Sequence, residues 1–176
     1  MGPRALLFVL FAISVVGTFV FFAVPFLSPY GSFTHLDGTP GILDHWDAWS
    51  ECDPLTMITY TIGDMICHQQ MARTFILNGS EMPVCVRDVG LLMGFMIGSL
   101  IVAVFFGNPV ICRYARPYVV ISFILIFIDW TIQHIFDLNI QFTRMTTGLL
   151  AGAGFSLIIY CWAFRIFHSE KETDGP

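Results

Sequence analysis

Charge is scarce in this 176-residue chain. Lys and Arg together number 8 and Asp and Glu 13, so charged residues make up 12% of the chain against 56% hydrophobic. A soluble domain carries about 25% charged residues. A water-soluble fold of this length could not hide so much apolar surface, and a bilayer is the expected solvent. The net charge of -5 gives no general basic surface for nucleic acid, so no nucleic-acid partner is expected. Two further absences matter. The first apolar run is longer than the roughly 7–15 residues of a signal-peptide core and has no Ala-x-Ala site after it, so it reads as an anchor. No Cys-x-x-Cys pair occurs, which leaves a thiol redox role without its usual motif.

What is present is a set of four apolar runs, at residues 5–27, 89–106, 118–136 and 143–167. Each approaches the roughly 20 residues that a helix needs to cross a bilayer core of about 30 Å. The expected fold is an all-α integral membrane protein of one domain, 1–176, built as a four-helix transmembrane bundle. Arg4, Arg113, Arg116, Arg165 and Lys171 fall on one side of these spans. The positive-inside rule makes that side cytoplasmic, with both termini there and residues 28–88 outside the cell membrane. The outer segment is acidic in its first half, through Asp37, Asp44, Asp47, Glu51 and Asp53, and its Trp46 and Trp49 fit an interfacial aromatic belt. Arg73, Arg87 and Arg144 lie outside against the charge rule and need a local reason. The tail 169–176 reads as disordered.

The outer segment 53–88 has its own pattern. Asp53-Pro54 is a helix start, with Asp53 as N-cap and Pro54 in the first turn. Leu55, Ile58, Ile62, Met65 and Ile66 follow at helical spacing, with Thr59, Asp64 and His68 opposite. Too short to span, this helix is expected to lie at the membrane interface. Asn78-Gly79 between two apolar segments is a hairpin signal. A two-residue turn pairs Leu77 with Ser80 and brings Cys85 opposite Ala72, hence towards Cys67 and His68. Asn78-Gly-Ser80 is also a glycosylation sequon, for which the tight turn is the plainer reason.

Two polar constellations result. Cys67, His68, Cys85 and Asp88 offer two thiolates, an imidazole and a carboxylate, a set that suits tetrahedral zinc. A Cys67–Cys85 disulfide, or free thiols beside a structural His, are the other readings of the same residues. In the spans, Asp129 and Gln133 lie one turn apart, and an acid at that depth marks a function or a paired charge, with Arg144 or Arg87 as partner. Gly90, Gly94 and Gly98 form one small-residue stripe and Gly148 and Gly152 another, suited to close helix packing. Arg87 and Arg144 continue these stripes and should point into the bundle. His134 is expected to face Trp130 or lipid headgroups.

Cys67-His68-Gln69 with Arg73, Pro83-Val-Cys85-Val-Arg87 with Gly90, Asp129 with Gln133, and Arg144 with Thr147-Gly148 together resemble the motifs of an uncharacterised family of small prokaryotic membrane proteins, domain of unknown function 2085. The resemblance covers roughly residues 55 to 155. It implies a second cysteine at the position that Asp88 holds here, and it carries no activity. The leading expectation is a metal-dependent membrane enzyme at the outer leaflet. Cys67, His68, Cys85 and Asp88 would hold zinc. Arg87, Arg144, Gln133, Gln69 and Arg73 would bind an anionic or lipid-linked head group. Asp64 or Asp129 would be the base. The competing expectations are a non-enzymatic subunit of a membrane complex or a homo-oligomer, stapled by metal or disulfide, and a small-anion or proton transporter working as an oligomer.

Overall fold

The computed structural model describes residues 3–173, with side chains for 4–165. Four helices are long and apolar enough to cross a membrane: α1 (Pro3–Ala23), α4 (Val86–Val104), α5 (Pro109–Ile135) and α6 (Gln141–Thr173). Between α1 and α4 lie the one-turn α2 (Trp46–Trp49), the short α3 (Pro54–Ile66) and a hairpin of β1 (Thr74–Leu77) and β2 (Ser80–Cys85). The chain is thus a multi-pass, all-α membrane protein with a small hairpin. α4 packs between α1 and α6, and α5 lies at the edge against α6.

The glycine stripes explain that order. A Cβ on Gly94 would lie 2.0 Å from the Leu149 carbonyl oxygen, and one on Gly152 would lie 2.1 Å from that of Leu91. Only glycine lets the α4 and α6 backbones approach so closely, the usual device where lipid offers no hydrophobic drive to associate. The two stripes face each other, and the arginines that continue them turn inward: Arg144 is 4% exposed.

α3 begins where the sequence placed it. The Asp53 carboxylate accepts from the amides of Leu55 and Thr56, at 3.0 and 3.1 Å, with Pro54 in the first turn. Its apolar residues Leu55, Ile58, Ile62, Met65 and Ile66 are exposed, while Thr56, Thr59, Tyr60 and Asp64 are buried. An apolar stripe facing outward suits lipid contact at an interface.

Several expectations are corrected. Trp49 belongs to no belt. It is fully buried with Val24, Phe33, Leu36 and Tyr60, stacks on Tyr60, and donates from its indole N–H to Thr61 Oγ1. The hairpin turn pairs Leu77 with Ser80, but Cys85 stands opposite Thr74 rather than Ala72. β2 carries two extra residues around Pro83, which has no N–H to give the ladder. α5 starts at Pro109, nine residues before the expected span, because Asn108 accepts from the Val110 amide and Pro109 fits a first turn. The arginines at 113 and 116 and Pro117 had broken the apolar run without breaking the helix. α6 runs as helix to Thr173, into the segment 169–176 read as a tail, of which 174–176 lie outside the described residues.

Candidate metal and anion site

At the end of the bundle where the hairpin sits, the backbone turns sharply after α3. Cys67 caps that helix in extended conformation, and Gln69 adopts φ +48. Gln69 is buried and its amide nitrogen donates to the Pro83 carbonyl at 2.8 Å, tying this turn to β2. β2 runs directly into α4, so Cys85 is the last strand residue and Arg87 and Asp88 lie in the first helical turn. Two chain reversals thereby bring Cys67, Cys85 and Asp88 together, with their ligand atoms within 4.8 Å of one another. Four ligands around zinc at 2.3 Å stand about 3.8 Å apart, so small side-chain movements would complete such a geometry.

The electrostatics of this cluster call for a cation or a proton. Cys85 Sγ lies 3.1 Å from Asp88 Oδ2. A sulfur and a carboxylate at that distance share one or the other. Within the thiol pair, the Cys67 S–H donating to Cys85 pulls the Cys85 thiol below its ordinary value. The same bond, with burial, pushes the Cys67 thiol well above it. The Cys85 amide donates to Cys67 Sγ at 3.2 Å, a bond that would steady a second thiolate beside a dication. All five cysteines are free thiols in this structure.

The cluster opens into a cavity of about 180 Å³ lined by Cys67, Gln69, Cys85, Asp88, Arg73, Arg87 and Arg144, among others. Arg87 donates to Asp129 Oδ2 at 2.7 Å. Arg144 reaches no carboxylate among the described residues. Its guanidinium donates to the Leu138 carbonyl at 3.5 Å, and its Nε is buried without a partner. Arg73 likewise has no acidic partner among the described residues.

The remaining expected residues divide. His68 lines the cavity at its exposed rim, with Nδ1 3.1 Å from the Gly38 carbonyl, outside the converging trio. Asp129 is held by Arg87 and by Gln133, whose amide also donates to Thr143. Asp129 and Gln133 stand behind the cavity wall rather than in it. Asp64 is away from the cavity. It accepts from the Asp44 amide at 3.0 Å and lies 3.7 Å from His45 Nδ1, pinning the acidic loop. Trp130 and His134 complete the wall, stacked in parallel with centroids 5.4 Å apart. The His134–Trp130 contact was expected; their place at the site was not. The signal available was their spacing of four on the face next to Asp129 and Gln133.

The comparisons agree with this architecture. The family described as "Predicted membrane protein (DUF2085)" matches residues 67–158. The chain is 30% identical over 158 residues to the uncharacterised protein MJ1492 of Methanocaldococcus jannaschii, covering 85% of this chain and 88% of that one. The chain belongs to this family of membrane proteins. No solved structure matches it.

Proposed function

We propose that the hairpin-end cavity is a zinc and anion site on the extracytoplasmic face, serving a metal-dependent enzyme that acts on a phosphate-bearing head group. One observation carries the proposal: Arg144, buried and without a carboxylate partner, lines the same cavity as the Cys67–Cys85–Asp88 trio. A dication on two thiolates and one carboxylate is net negative by one charge. Arg73 and Arg144 more than offset it, so an anion is the ligand the cavity attracts. Three protein ligands with a fourth position open to water is the pattern of catalytic rather than structural zinc. Bound there, the metal would activate a water for attack on the head group. His68, at the rim, is placed to take or return a proton. Asp129 acts as the positioning group for Arg87, through their 2.7 Å bond.

The test is metal-dependent release of phosphate from short-chain phospholipid and isoprenyl phosphate panels by the purified chain. Arg144→Gln and His68→Ala should abolish turnover while leaving bound zinc in place. Zinc-loaded protein inactive on every anionic head group offered would sink the enzymatic reading. A purely structural staple is the second reading, favoured by the Cys85 N–H to Cys67 Sγ bond that ties the end of β2 to the turn after α3. It differs in expecting Cys67→Ala to cost stability and Arg144→Gln to leave function untouched.

A further inference from the structure

At the opposite end of the bundle, α5 and α6 enclose a groove of about 810 Å³. Along one helix, residues 116 and 130 are fourteen positions apart, or about 21 Å, so this groove and the hairpin-end cavity lie at different membrane depths. Its walls are apolar, including Val120, Ile158 and Trp162, each exposed in the isolated chain. Arg113 and Arg116 line it from α5 and Arg165 from α6. No carboxylate among the described residues pairs with any of the three.

We infer that this groove is a binding site for one anionic phospholipid, its phosphate held by Arg113, Arg116 and Arg165 and an acyl chain laid along the apolar wall. The charge is complementary, because the positive-inside pattern puts this end in the cytoplasmic leaflet, whose lipids are anionic. The volume falls in the range of about 300–1,000 Å³ that small-molecule sites occupy. A second copy meeting this face symmetrically would set three guanidinium groups against three others. A free phosphate would leave the apolar wall without an occupant. The inference does not depend on the metal site.

The test is native mass spectrometry of the full chain in a neutral detergent, offered equal amounts of phosphatidylglycerol and phosphatidylcholine with matched acyl chains. At about fivefold per basic residue, three arginines give a preference of about 100-fold for the anionic lipid at low salt. Arg113→Gln/Arg116→Gln/Arg165→Gln should reduce that to near parity, and Trp162→Ala should weaken both lipids alike. The wild-type preference alone already decides, whatever the triple variant's folding yield: no preference overturns the proposal. So does a triple variant that keeps the wild-type preference, or inorganic phosphate that displaces the lipid at equal concentration. A lipid-free dimer whose abundance tracks these variants would assign the groove to a second copy and also overturn it.

Discussion

Replacing Asp129 with Asn keeps the side chain's shape and removes only its charge. α4 and α5 make few direct contacts, and the 2.7 Å bond between Arg87 and Asp129 is what joins them. The two side chains are only 14% and 10% exposed. Removing one partner of a buried pair costs about 3–5 kcal/mol, because the other charge stays buried and uncompensated. The Asn amide still accepts a neutral hydrogen bond, and Arg87 lines an open cavity rather than a closed core. Both effects move the expected loss to about 2–3 kcal/mol. The assay is unfolding of the chain in mixed micelles by a denaturing detergent, run as a double-mutant cycle with Arg87→Gln. A coupling of at least about 1.5 kcal/mol is expected for groups in direct contact. A coupling below about 0.5 kcal/mol would refute the claim that this pair ties α5 to α4.

Other consequences follow from particular contacts. Gly94→Ala would place a methyl 2.0 Å from the Leu149 carbonyl oxygen and should cost about 1–3 kcal/mol, whereas Gly17→Ala, with nothing within 4 Å, should be neutral or mildly stabilising in the same unfolding assay. In metal-free protein, iodoacetamide should modify Cys85 before Cys67 at neutral pH. The Cys85 thiol ionises below the ordinary value, and Cys67 holds its proton well above it. The signs of their pH effects are opposite. Stability from Cys85 is full above the ordinary thiol value and lost as pH falls through its lowered one. Stability from Cys67 is full below the ordinary value and lost as pH rises. Equal alkylation rates would contradict the opposite shifts of the two thiols. Asn78 has φ +52 and its amide donates to the carbonyls of Pro25 and Ser28 at 2.9 and 3.1 Å, so Asn78→Ala should cost about 1–2 kcal/mol, and expression in a glycosylating host should give no added mass at this residue.

The parts of this fold that were legible in sequence are those governed by local rules. Four spans, the Asp53-Pro54 cap and the Asn78-Gly79 turn each depend on neighbours within a few residues. The glycine stripes also declared themselves, because in lipid a small residue every fourth position has one common use. What was not legible required knowing which segments meet. Asp64 and His68 share the polar face of one short helix and its extension, and both bond the acidic loop, yet only His68 also reaches the cavity rim. Trp49 resembled an interfacial residue because nothing local reveals that Phe33, Leu36 and Tyr60 close around it. Arg87 and Arg144 were equally good partners for Asp129 by sequence spacing. The geometry chose Arg87, and by doing so left Arg144 free to face the cavity.

The most direct test of the central claim is elemental analysis of the purified chain beside Cys85→Ser, with free thiols counted in both. The account predicts about one zinc per wild-type chain and none retained by the variant, with Cys67 and Cys85 both reduced. Wild-type protein that carries no metal after zinc loading, with Cys67 and Cys85 oxidised to each other, would contradict it.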